Sequence, residues 1–281
     1  MNRARWLLLL IALVALDRCV CGGEPSPATL RLGTFNIENY PKSERQVQGA
    51  FDAIGSLGAL AIGVQEITEP ESFARSARHH LGDAWRFVYP ETSPLQRVGV
   101  LFDGRRLELL STQTHQEVAV YRGAKPAFEA RLRSRSGVIL RVIVVHLKAG
   151  GDFHDVRRRQ LVALSSVAAR AKRSGEQVVL LGDFNATSPQ DRREIARLAR
   201  TADLSWASEP LDCTSYWNRR DGCMGTALDH VLTASPAEDV TARGPCESIG
   251  CNPGRRCPTF HEEVSDHCPV SVDVRARATA A

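Results

Sequence analysis

The most informative stretch of the sequence is Val178-Val179-Leu180-Leu181-Gly182-Asp183-Phe184-Asn185-Ala186. Its four leading apolar residues, two of them β-branched, predict a buried strand that ends at Gly182. Because side chains alternate along a strand, we expect Asp183 and Asn185 to point into the same pocket. A carboxylate and an amide in one pocket suit a phosphate oxygen, a hard cation or an attacking water.

Polar residues also stand at the ends of several other strand-like runs. They are Asn36, Glu66, His146, Asp229 and, at the head of a final run, the pair Asp266-His267. Taken singly, each is more simply explained as a solvated loop residue or as a structural histidine. Their common position is hard to explain by loop composition, and it indicates one site with metal-binding or proton-transfer chemistry.

Hydrophobic periodicity predicts the other elements. Strands are expected at 29–37, 59–67, 85–90, 97–102, 107–120, 127–133, 138–146 and 265–274, and helices at 43–57, 70–81, 152–172 and 189–201. The sequence shows no internal repeat, long linker or second core. This irregular mixture of strands and helices favours a single α+β domain in which sheet packs on sheet and helices lie outside.

Composition and charge set only loose limits. The chain has 281 residues, of which 43% are hydrophobic and 24% charged, enough for a sizeable core. Its net charge is +4, and +2 once residues 1–21, with three arginines and one aspartate, are set aside. So small a net positive charge does not by itself indicate a nucleic-acid partner. Any basic surface that binds nucleic acid has to be a local cluster of charges.

The N-terminus has the pattern of an export signal. A short positive region precedes eleven apolar residues at 6–16, a run shorter than the roughly 20 residues of a membrane-spanning helix. We therefore expect a signal peptide at 1–21 and a periplasmic or extracellular protein. A lipid-modified Cys19 or Cys21 is the alternative, and the neighbouring arginine disfavours it. The expected remainder is a linker at 22–28, the domain at 29–275 and a disordered tail at 276–281.

Six of the eight cysteines lie beyond residue 210, in loop-like sequence rich in Gly and Pro. Their spacing fits no zinc-binding pattern, and an even number in an exported chain predicts disulfide bonds. Sequence alone does not determine which cysteines pair. Our first choice is Cys213 with Cys223, Cys251 with Cys257, and Cys246 with Cys268.

Six motifs occur in a recognisable order along the chain. They are Thr34-Phe35-Asn36-Ile37, Gln65-Glu66-Ile67, Val145-His146-Leu147-Lys148, Gly182-Asp183-Phe184-Asn185, Leu228-Asp229-His230 and Ser265-Asp266-His267-Cys268-Pro269-Val270. Together they resemble the metal-dependent endonuclease/exonuclease/phosphatase superfamily, which includes DNase I-like nucleases and abasic-site endonucleases. The resemblance covers essentially residues 29–274. It implies a four-layer α/β/β/α sandwich of two mixed sheets, which agrees with the periodicity.

The resemblance also implies a metal site and a water-activating group. Glu66 is the expected principal ligand of Mg²⁺ or Mn²⁺, with Ca²⁺ as a further candidate, and Asn36 and Asp266 lie beside it. Hard divalent cations prefer such oxygen ligands. Asp183 is expected to orient or deprotonate the attacking water, and Asn185 to bind the scissile phosphate.

The remaining roles concern histidines and basic residues. His267 is the expected general acid/base, with Asp229 fixing its tautomer and raising its pKa. His146 is expected to contact the phosphate or protonate the leaving oxygen, but the sequence does not reveal its carboxylate partner. Lys148 and Arg157 are further candidates for binding phosphate, although a solvated helix face is the better explanation for at least two of the three arginines 157–159.

These observations leave three hypotheses for function. The first is an exported, metal-dependent endonuclease that hydrolyses nucleic acid by in-line attack of an activated water. The second is a phospholipid-directed phosphoesterase, either sphingomyelinase-like or an inositol-phosphate phosphatase. The phosphatase branch usually has an Arg after Gly-Asp-x-Asn, where Ala186 stands here, and the sphingomyelinase branch would carry an exposed apolar hairpin. The third is an inactive binding module. No protein partner is predicted, and Trp206, Tyr216 and Trp217 either stack on bases or pack beneath a disulfide loop.

Overall fold

Two six-stranded β-sheets with flanking helices make up the fold in the computed structural model, which describes residues 28–91 and 95–276. The predicted signal peptide and nearly all of the predicted linker lie outside the described residues, as does the predicted tail after residue 276. Ala276, assigned above to the tail, is instead the last residue of the final strand. In the described part of the chain, every helix is too short or too polar to cross a membrane.

Fourteen strands and six helices follow one another along the described chain. The strands are β1 (Ala28–Tyr40), β2 (Ala61–Ile67), β3 (Trp85–Val88), β4 (Arg97–Asp103), β5 (Leu107–His115), β6 (Ala127–Ser134), β7 (Ile139–His146), β8 (Gln177–Asp183), β9 (Ser205–Trp206), β10 (Ser215–Arg219), β11 (Gly222–Thr226), β12 (Asp229–Thr233), β13 (Ala237–Ala242) and β14 (Val270–Ala276). The helices are α1 (Glu44–Ser56), α2 (Pro70–Leu81), α3 (His154–Lys172), α4 (Pro189–Ala202), α5 (Pro245–Ser248) and α6 (Thr259–Glu263).

The two sheets pack face to face and helices cover their outer faces. The first sheet has the strand order β13-β14-β1-β2-β4-β3, and the second has the order β5-β6-β7-β8-β12-β9. One apolar cluster, with Leu32, Val142 and Leu181, fills the space between the sheets. A second cluster joins the first sheet to α1 and α2, and a third joins the second sheet to α3 and α4. These layers confirm the predicted α/β/β/α sandwich.

Two predicted strands differ most from their bounds in the structure. The run 107–120 is a strand only to His115, and a 3₁₀ turn at Gln116–Val118 follows it. The final strand begins at Val270 rather than at 265, directly after Pro269, which has no N–H to donate to a ladder. The short strands β9, β10, β11 and β13 were not predicted, because they lie in polar or cysteine-rich sequence without clear alternation.

Strand register brings the ends of several motifs to one edge of the sandwich. In the second sheet, Asp183 pairs with His146 on the parallel strand β7 and with Asp229 on the antiparallel strand β12. In the first sheet, Asn36 on β1 pairs with Gln65 on the parallel strand β2, which places Glu66 next to it. Gly182 has a φ of +139°, and a Cβ there would lie 2.1 Å from the carbonyl oxygen of Val145. Only glycine suits this position of the Gly182-Asp183-Phe184-Asn185 motif.

Gly63 allows the two sheets to approach closely beneath that edge. A Cβ at this position of β2 would lie 2.2 Å from Cδ1 of Leu181 on β8 and 3.0 Å from Cγ2 of Val144 on β7. Both neighbours belong to the opposite sheet, so the missing side chain sets the separation between the sheets. Glu66, Asp183 and His146 lie two or three residues further along these same strands.

Three disulfide bonds hold the residues after 212. They join Cys213 to Cys251, Cys223 to Cys257 and Cys246 to Cys268. The predicted Cys246–Cys268 bond is confirmed, whereas the predicted pairs Cys213–Cys223 and Cys251–Cys257 are wrong. The segment 245–257 packs along β11, where the Cys223 N–H donates to the carbonyl oxygen of Gly254 at 2.9 Å. The cysteines of β11 and of the residues before it therefore bond to this neighbouring segment and not to each other. We call residues 213–226 and 245–257 together the cysteine lobe.

Candidate active site

The site lies where the carboxyl-terminal ends of β1 and β2 face those of β7 and β8. Asn36 and Glu66 come from the first sheet and His146, Asp183 and Asp229 from the second. His267 belongs to the loop that leads into β14. Asn36 connects the two sheets, because its Nδ2 donates to Asp183 Oδ2 at 3.1 Å and lies 3.5 Å from Nε2 of His267. Residues that are far apart in sequence therefore share one buried pocket.

His267 forms a short hydrogen bond with Asp229. Nδ1 of His267 lies 2.7 Å from Oδ2 of Asp229, and both residues are buried. The hydroxyl of Thr214 donates to the same carboxylate oxygen at 2.7 Å, so the acid is held in one orientation. With Nδ1 donating to Asp229, Nε2 of His267 faces the pocket and lies 3.9 Å from Oδ2 of Asp183.

The charge state of His267 follows from its surroundings. Burial lowers the pKa of a histidine, but the carboxylates of Asp229 and Asp183 and the hydrogen bond to Asp229 outweigh burial here. The pKa of His267 is therefore raised well above 6.5, and the ring is an imidazolium at neutral pH. Its Nε2–H is a charged donor directed at the pocket, suited to an oxygen that gains negative charge.

Asp183 lies at the centre of the network. Its Oδ1 accepts from the Asn185 N–H at 2.8 Å, and its Oδ2 accepts from the side-chain amides of Asn36 and Asn185. Burial is the largest cause that raises the pKa of Asp183, to about 7, against the lowering effect of His267. A carboxylate with a pKa near neutrality is a competent proton acceptor for water.

The side chain of Asn185 points into this pocket, but not because of the alternation of side chains along a strand. The strand β8 ends at Asp183, and Asn185 has a left-handed backbone with a φ of +50°. Its side-chain Nδ2 donates both to Asp183 Oδ2 at 3.0 Å and to the carbonyl oxygen of Leu147 at 3.1 Å. Both amide hydrogens are thus engaged within the protein, and they hold Asp183 in place. A phosphate would have to replace one of these acceptors.

Glu66, Asn36 and Asp266 provide the oxygen atoms expected for a metal site. Glu66 has a left-handed backbone with a φ of +62°, and its Oε1 accepts from Asn36 Nδ2 at 3.3 Å. Burial raises the pKa of Asp266, and the charges of Glu38 and Glu66 raise it further. In the described chain, the buried Oδ1 atom of Asp266 has no hydrogen-bond partner. Mutually repelling carboxylates and an unpaired buried oxygen fit a bound cation.

The donor set fits a cation that keeps part of its water shell. Within residues 28–91 and 95–276, no three His, Cys, Asp or Glu side chains form a complete metal-binding cluster. Mg²⁺ is commonly held by one or two carboxylates while several waters complete its coordination. Glu66 and Asp266, with the amide oxygen of Asn36, match this kind of site. The amide oxygen of Asn36 also accepts from the Glu38 N–H at 3.0 Å.

His146 has a lysine, and not a carboxylate, as its partner at Nδ1. Nζ of Lys125 lies 3.1 Å from Nδ1 of His146 and donates to Oε1 of Gln96 at 3.0 Å. An ammonium has only donors, so Nδ1 has to accept and the proton of a neutral ring has to reside on Nε2. Burial, followed by the charge of Lys125, lowers the pKa of His146 well below 6.5, which agrees with a neutral ring.

The neutral His146 ring presents an N–H to the pocket. Its Nε2 lies 3.5 Å from Oδ2 of Asp183 and 3.8 Å from Oε1 of Glu66. Gln96 extends the network to the metal-ligand candidates, because its Nε2 donates to Oε2 of Glu66 at 3.0 Å. The two histidines of the site thus differ in charge: His267 is an imidazolium and His146 a neutral donor.

Of the two basic candidates, Lys148 lies near the site and Arg157 does not face it. Lys148 is half-buried, with its Nζ 4.4 Å from the ring centroid of Phe153. Arg157 is completely buried and donates five hydrogen bonds, two to Asp191 and the others to Thr187 and two loop carbonyls. Its prediction as a phosphate ligand is therefore wrong, since no N–H remains for a substrate. Arg158 and Arg159 are exposed, as expected of a solvated helix face.

The three aromatic candidates have different environments. Tyr216 is buried, and its hydroxyl oxygen lies 2.6 Å from the carbonyl oxygen of Gly250 and 3.0 Å from that of Pro245, so it packs beneath the disulfides. Trp206 packs edge-on against His230 and beneath the guanidinium of Arg192. Trp217 alone of the three is exposed, at 45%.

Sequence reasoning missed Lys125, Gln96 and Thr214. Each lies in a loop beside the site, outside any strand or recognisable motif. Thr214 follows Cys213, and Gln96 precedes β4 by one residue, but neither position signals a contact with Asp229 or Glu66. Only the absence of a carboxylate partner for His146 pointed to a missing residue.

The fold and the motif order agree with comparisons to known proteins. The Endonuclease/Exonuclease/phosphatase family model matches residues 33–267. A comparison with curated protein sequences gives no match. Similar solved structures include D. rerio TDP2 complexed with single strand DNA product, with 13% identity, a TM-score of 0.67 and coverage of 88% of this chain and 98% of that one.

Two further structures extend the likeness. The catalytic domain of human Nocturnin with bound sulfate has 18% identity and a TM-score of 0.64, covering 89% of this chain and 95% of that one. A family protein from Bacteroides thetaiotaomicron has 11% identity and a TM-score of 0.66, covering 90% of this chain and 99% of that one. At these identities the likeness shows a shared fold.

Proposed function

Because the chain belongs to the endonuclease/exonuclease/phosphatase family, we propose that it is a metal-dependent phosphodiesterase that hydrolyses nucleic acid. The observation that carries the proposal is the buried Asp229–His267 pair, whose Nε2 faces Asp183 in one pocket. A proton acceptor and a charged donor that face the same pocket suit in-line attack of water on a phosphodiester.

Each side chain has a distinct task in this proposal. Asp183, with a pKa near 7, takes a proton from the attacking water. His267 donates its Nε2–H to a phosphate oxygen that gains charge, and the neutral His146 donates to another oxygen. Asn185 holds Asp183 and exchanges one of its internal hydrogen bonds for the phosphate.

Glu66, Asp266 and Asn36 would hold the divalent cation. When bound, such a cation neutralises charge on the phosphoryl group and assists the leaving oxygen. The excess of carboxylates around Asp266 supports this assignment, because burial and like charge already disfavour its ionised form. Mg²⁺ or Mn²⁺ are the preferred candidates.

Two observations favour nucleic acid over phospholipid. One of the similar solved structures, D. rerio TDP2, is described as complexed with a single strand DNA product. The hairpin β10–β11 beside the site has the charged tip Arg219-Arg220-Asp221, which does not suit insertion into a membrane. The disulfide bonds support export, because such bonds persist in oxidising compartments.

A substrate panel tests the proposal. The protein is incubated with plasmid DNA, RNA, sphingomyelin and a soluble inositol phosphate, each with Mg²⁺, Mn²⁺ or Ca²⁺ and each with a chelator. We expect cleavage of nucleic acid, its loss with the chelator, and its loss in a folded Asp183→Asn variant. Cleavage of sphingomyelin without cleavage of nucleic acid would overturn the choice of substrate, and an active Asp183→Asn would overturn the mechanism.

A further inference from the structure

The cysteine lobe is attached directly to the segment that carries His267. Ser215, the first residue of β10, forms an isolated β-bridge with His267. The Tyr216 N–H donates to the carbonyl oxygen of Asp266 at 2.7 Å, and the Cys268 N–H donates to that of Thr214 at 2.6 Å. The hairpin β10–β11 therefore starts at the catalytic pocket and extends away from it.

Covalent bonds and backbone contacts hold the hairpin in one position. Cys213 at its base and Cys223 in β11 are bonded to Cys251 and Cys257 of the adjoining segment. The Gly225 N–H also donates to the carbonyl oxygen of Cys251 at 3.0 Å, so this segment lies alongside β11. A surface held in this way loses little conformational entropy when it binds a ligand.

One aromatic ring is exposed on this hairpin. Trp217 is 45% exposed, whereas its neighbour Tyr216 is 2% exposed and packs inward. The guanidinium carbon of Arg219 lies 4.8 Å from the Trp217 ring centroid, which keeps the ring in a defined orientation. Trp217 is two residues from Ser215, so its backbone lies roughly 7 Å along the strand from the contact with His267.

Positive charge is concentrated on the hairpin that carries this ring and on the segment beside it. Arg219 and Arg220 are exposed at the hairpin tip, and Arg255 and Arg256 are exposed on the segment beside it. A Cβ on Gly222 would lie 3.6 Å from Cα of Arg255, so the two arginine pairs are neighbours. In the described parts of the chain none of these four arginines forms an ion pair, so their charges are available to a ligand.

We propose that the cysteine lobe is a binding platform for single-stranded nucleic acid, on which Trp217 stacks with an unpaired base and the four arginines bind backbone phosphates. The inference rests on the proposed function, because it deepens the choice of substrate for the same pocket. An aromatic ring beside a positively charged groove is the usual arrangement for binding single strands without sequence preference. The bound nucleic-acid strand then continues from the cysteine lobe towards His267 and Asp183.

The chemistry of the lobe favours nucleic acid over a lipid surface. A membrane-binding hairpin presents several apolar side chains at its tip, whereas here the tip is Arg219-Arg220-Asp221-Gly222. Arginines bind phosphates well because their planar guanidinium groups donate two parallel hydrogen bonds. The overall charge of the chain is mild, so this lobe supplies the local basic footprint that nucleic-acid binding requires.

Three variants and two substrates test the inference. The variants are Trp217→Ala, the pair Arg219→Ser/Arg255→Ser, and the control pair Arg158→Ser/Arg159→Ser, which removes the same charge from exposed positions of α3. The substrates are a single-stranded oligonucleotide and bis(p-nitrophenyl) phosphate, a small diester that cannot reach the lobe and the pocket together. Both are assayed with Mg²⁺, and oligonucleotide binding is measured separately with the inactive His267→Gln background.

We expect Trp217→Ala to weaken oligonucleotide binding by about 5- to 150-fold, the range expected when one base–aromatic stack is removed. The Arg219→Ser/Arg255→Ser pair is expected to reduce the slope of log affinity against log salt by roughly 1.4, that is about 0.7 for each phosphate that is no longer neutralised. Hydrolysis of the small diester should stay unchanged in both. The control pair should bind and cleave as the wild type does.

The possible failures can be told apart. If the wild type cleaves both substrates and the lobe variants bind the oligonucleotide like the wild type, the platform inference is wrong and the proposed function stands. If the lobe variants lose binding to anionic phospholipid vesicles but not to the oligonucleotide, the lobe is a membrane surface and the inference is overturned. A wild type that cleaves neither diester contradicts the proposed function and removes the basis of the inference with it.

Discussion

Asp229 and His267 face each other across the boundary between the two sheets, with Oδ2 and Nδ1 2.7 Å apart. Asp229 is the first residue of β12 in the second sheet, and His267 precedes β14 in the first. The pair therefore forms only when the sandwich is assembled. Thr214 of the cysteine lobe donates to the same oxygen, so three parts of the molecule fix one hydrogen bond.

Replacement of Asp229 by Asn should inactivate the site without unfolding the protein. Asn keeps the shape but cannot stabilise an imidazolium, so the pKa of His267 falls and its charged donor is lost. We expect the rate to drop by about 100-fold or more, the usual contribution of a positioned acid or base. Because the two residues act together, Asp229→Asn/His267→Gln should be scarcely slower than His267→Gln alone. If the fold-loss in rate of the double variant equals the product of the losses in the two single variants, Asp229 and His267 act separately.

Removal of Lys125 should alter the tautomer of His146. In Lys125→Met, Nδ1 of His146 loses its donor, and the proton is free to occupy either nitrogen. Outer partners of functional histidines typically contribute about 10- to 100-fold to activity, and we expect a loss in this range, in kcat more than in KM. The ¹⁵N chemical shifts of His146 should show Nε2–H in the wild type and a mixture in the variant. Lys172→Met, which changes a partly buried lysine that pairs with Asp203 at the end of α3, is the control. A wild-type ring protonated at Nδ1 would contradict the assignment.

The buried His230 should make the protein sensitive to acid. Burial, and then the charge of Arg192, lower the pKa of His230 from 6.5 to about 3. Between pH 6.5 and about pH 3, the unfolded chain binds a proton at His230 that the folded chain does not. The free energy of unfolding is therefore not reduced by His230 above pH 6.5, and it falls as the pH decreases below that value. The slope for this one group is about 1.4 kcal/mol per pH unit. Urea unfolding at pH 7 and pH 5 should show a smaller decrease for His230→Asn, which cannot titrate, and equal decreases would refute the prediction.

Arg157 should matter for stability and not for substrate. Its guanidinium binds both oxygens of Asp191 at 2.8 and 2.9 Å, and both side chains are buried. Arg157→Met removes the guanidinium from the buried carboxylate of Asp191 and leaves it only His154 and Ser188, at an expected cost of about 3–5 kcal/mol in unfolding free energy. Arg158→Met, on the exposed face of the same helix, should change stability by no more than about 0.5 kcal/mol. Chemical denaturation measures both, and similar values for the two variants would contradict the assignment.

The disulfide bonds should contribute strongly to stability. Each closes a loop of 22 to 38 residues, and loss of a native disulfide typically costs about 2–5 kcal/mol. A titration with reducing agent should therefore lower the melting temperature, and peptide mapping without reduction should recover Cys213 with Cys251 and Cys223 with Cys257. An unchanged melting temperature after complete reduction would show that the bonds are dispensable.

The sequence was sufficient for the sandwich and for the residues gathered in the pocket, because both depend on strand periodicity and on motifs at strand ends. It was insufficient where contacts join distant loops. Lys125 reaches His146 from a loop with no motif, and its identity as a cation could not be read from the His146 segment. The pairing of cysteines depends on which Cα atoms lie about 5–6 Å apart, and that distance exists only after folding.

Arg157 shows a second limit of the sequence. Three consecutive arginines at the start of a helix look alike in sequence, but the 3.6-residue period turns one inward and leaves two in solvent. The inward residue happens to meet Asp191 at the first turn of α4, so it became part of the core. Basic residues near a phosphate motif are therefore poor evidence of phosphate contact until the helix phase is known.

Gly63 gives the inter-sheet core a role in chemistry. A methyl group there would clash with Leu181 and Val144, which are both fully buried, and would either displace these side chains or press β2 away from β7 and β8. These three strands carry Glu66, His146 and Asp183, so the separation of these side chains depends on the volume of the core beneath them. Substitutions in the interior of this protein should consequently change its turnover as well as its melting temperature, and the hydrophobic centre cannot be redesigned independently of the active site.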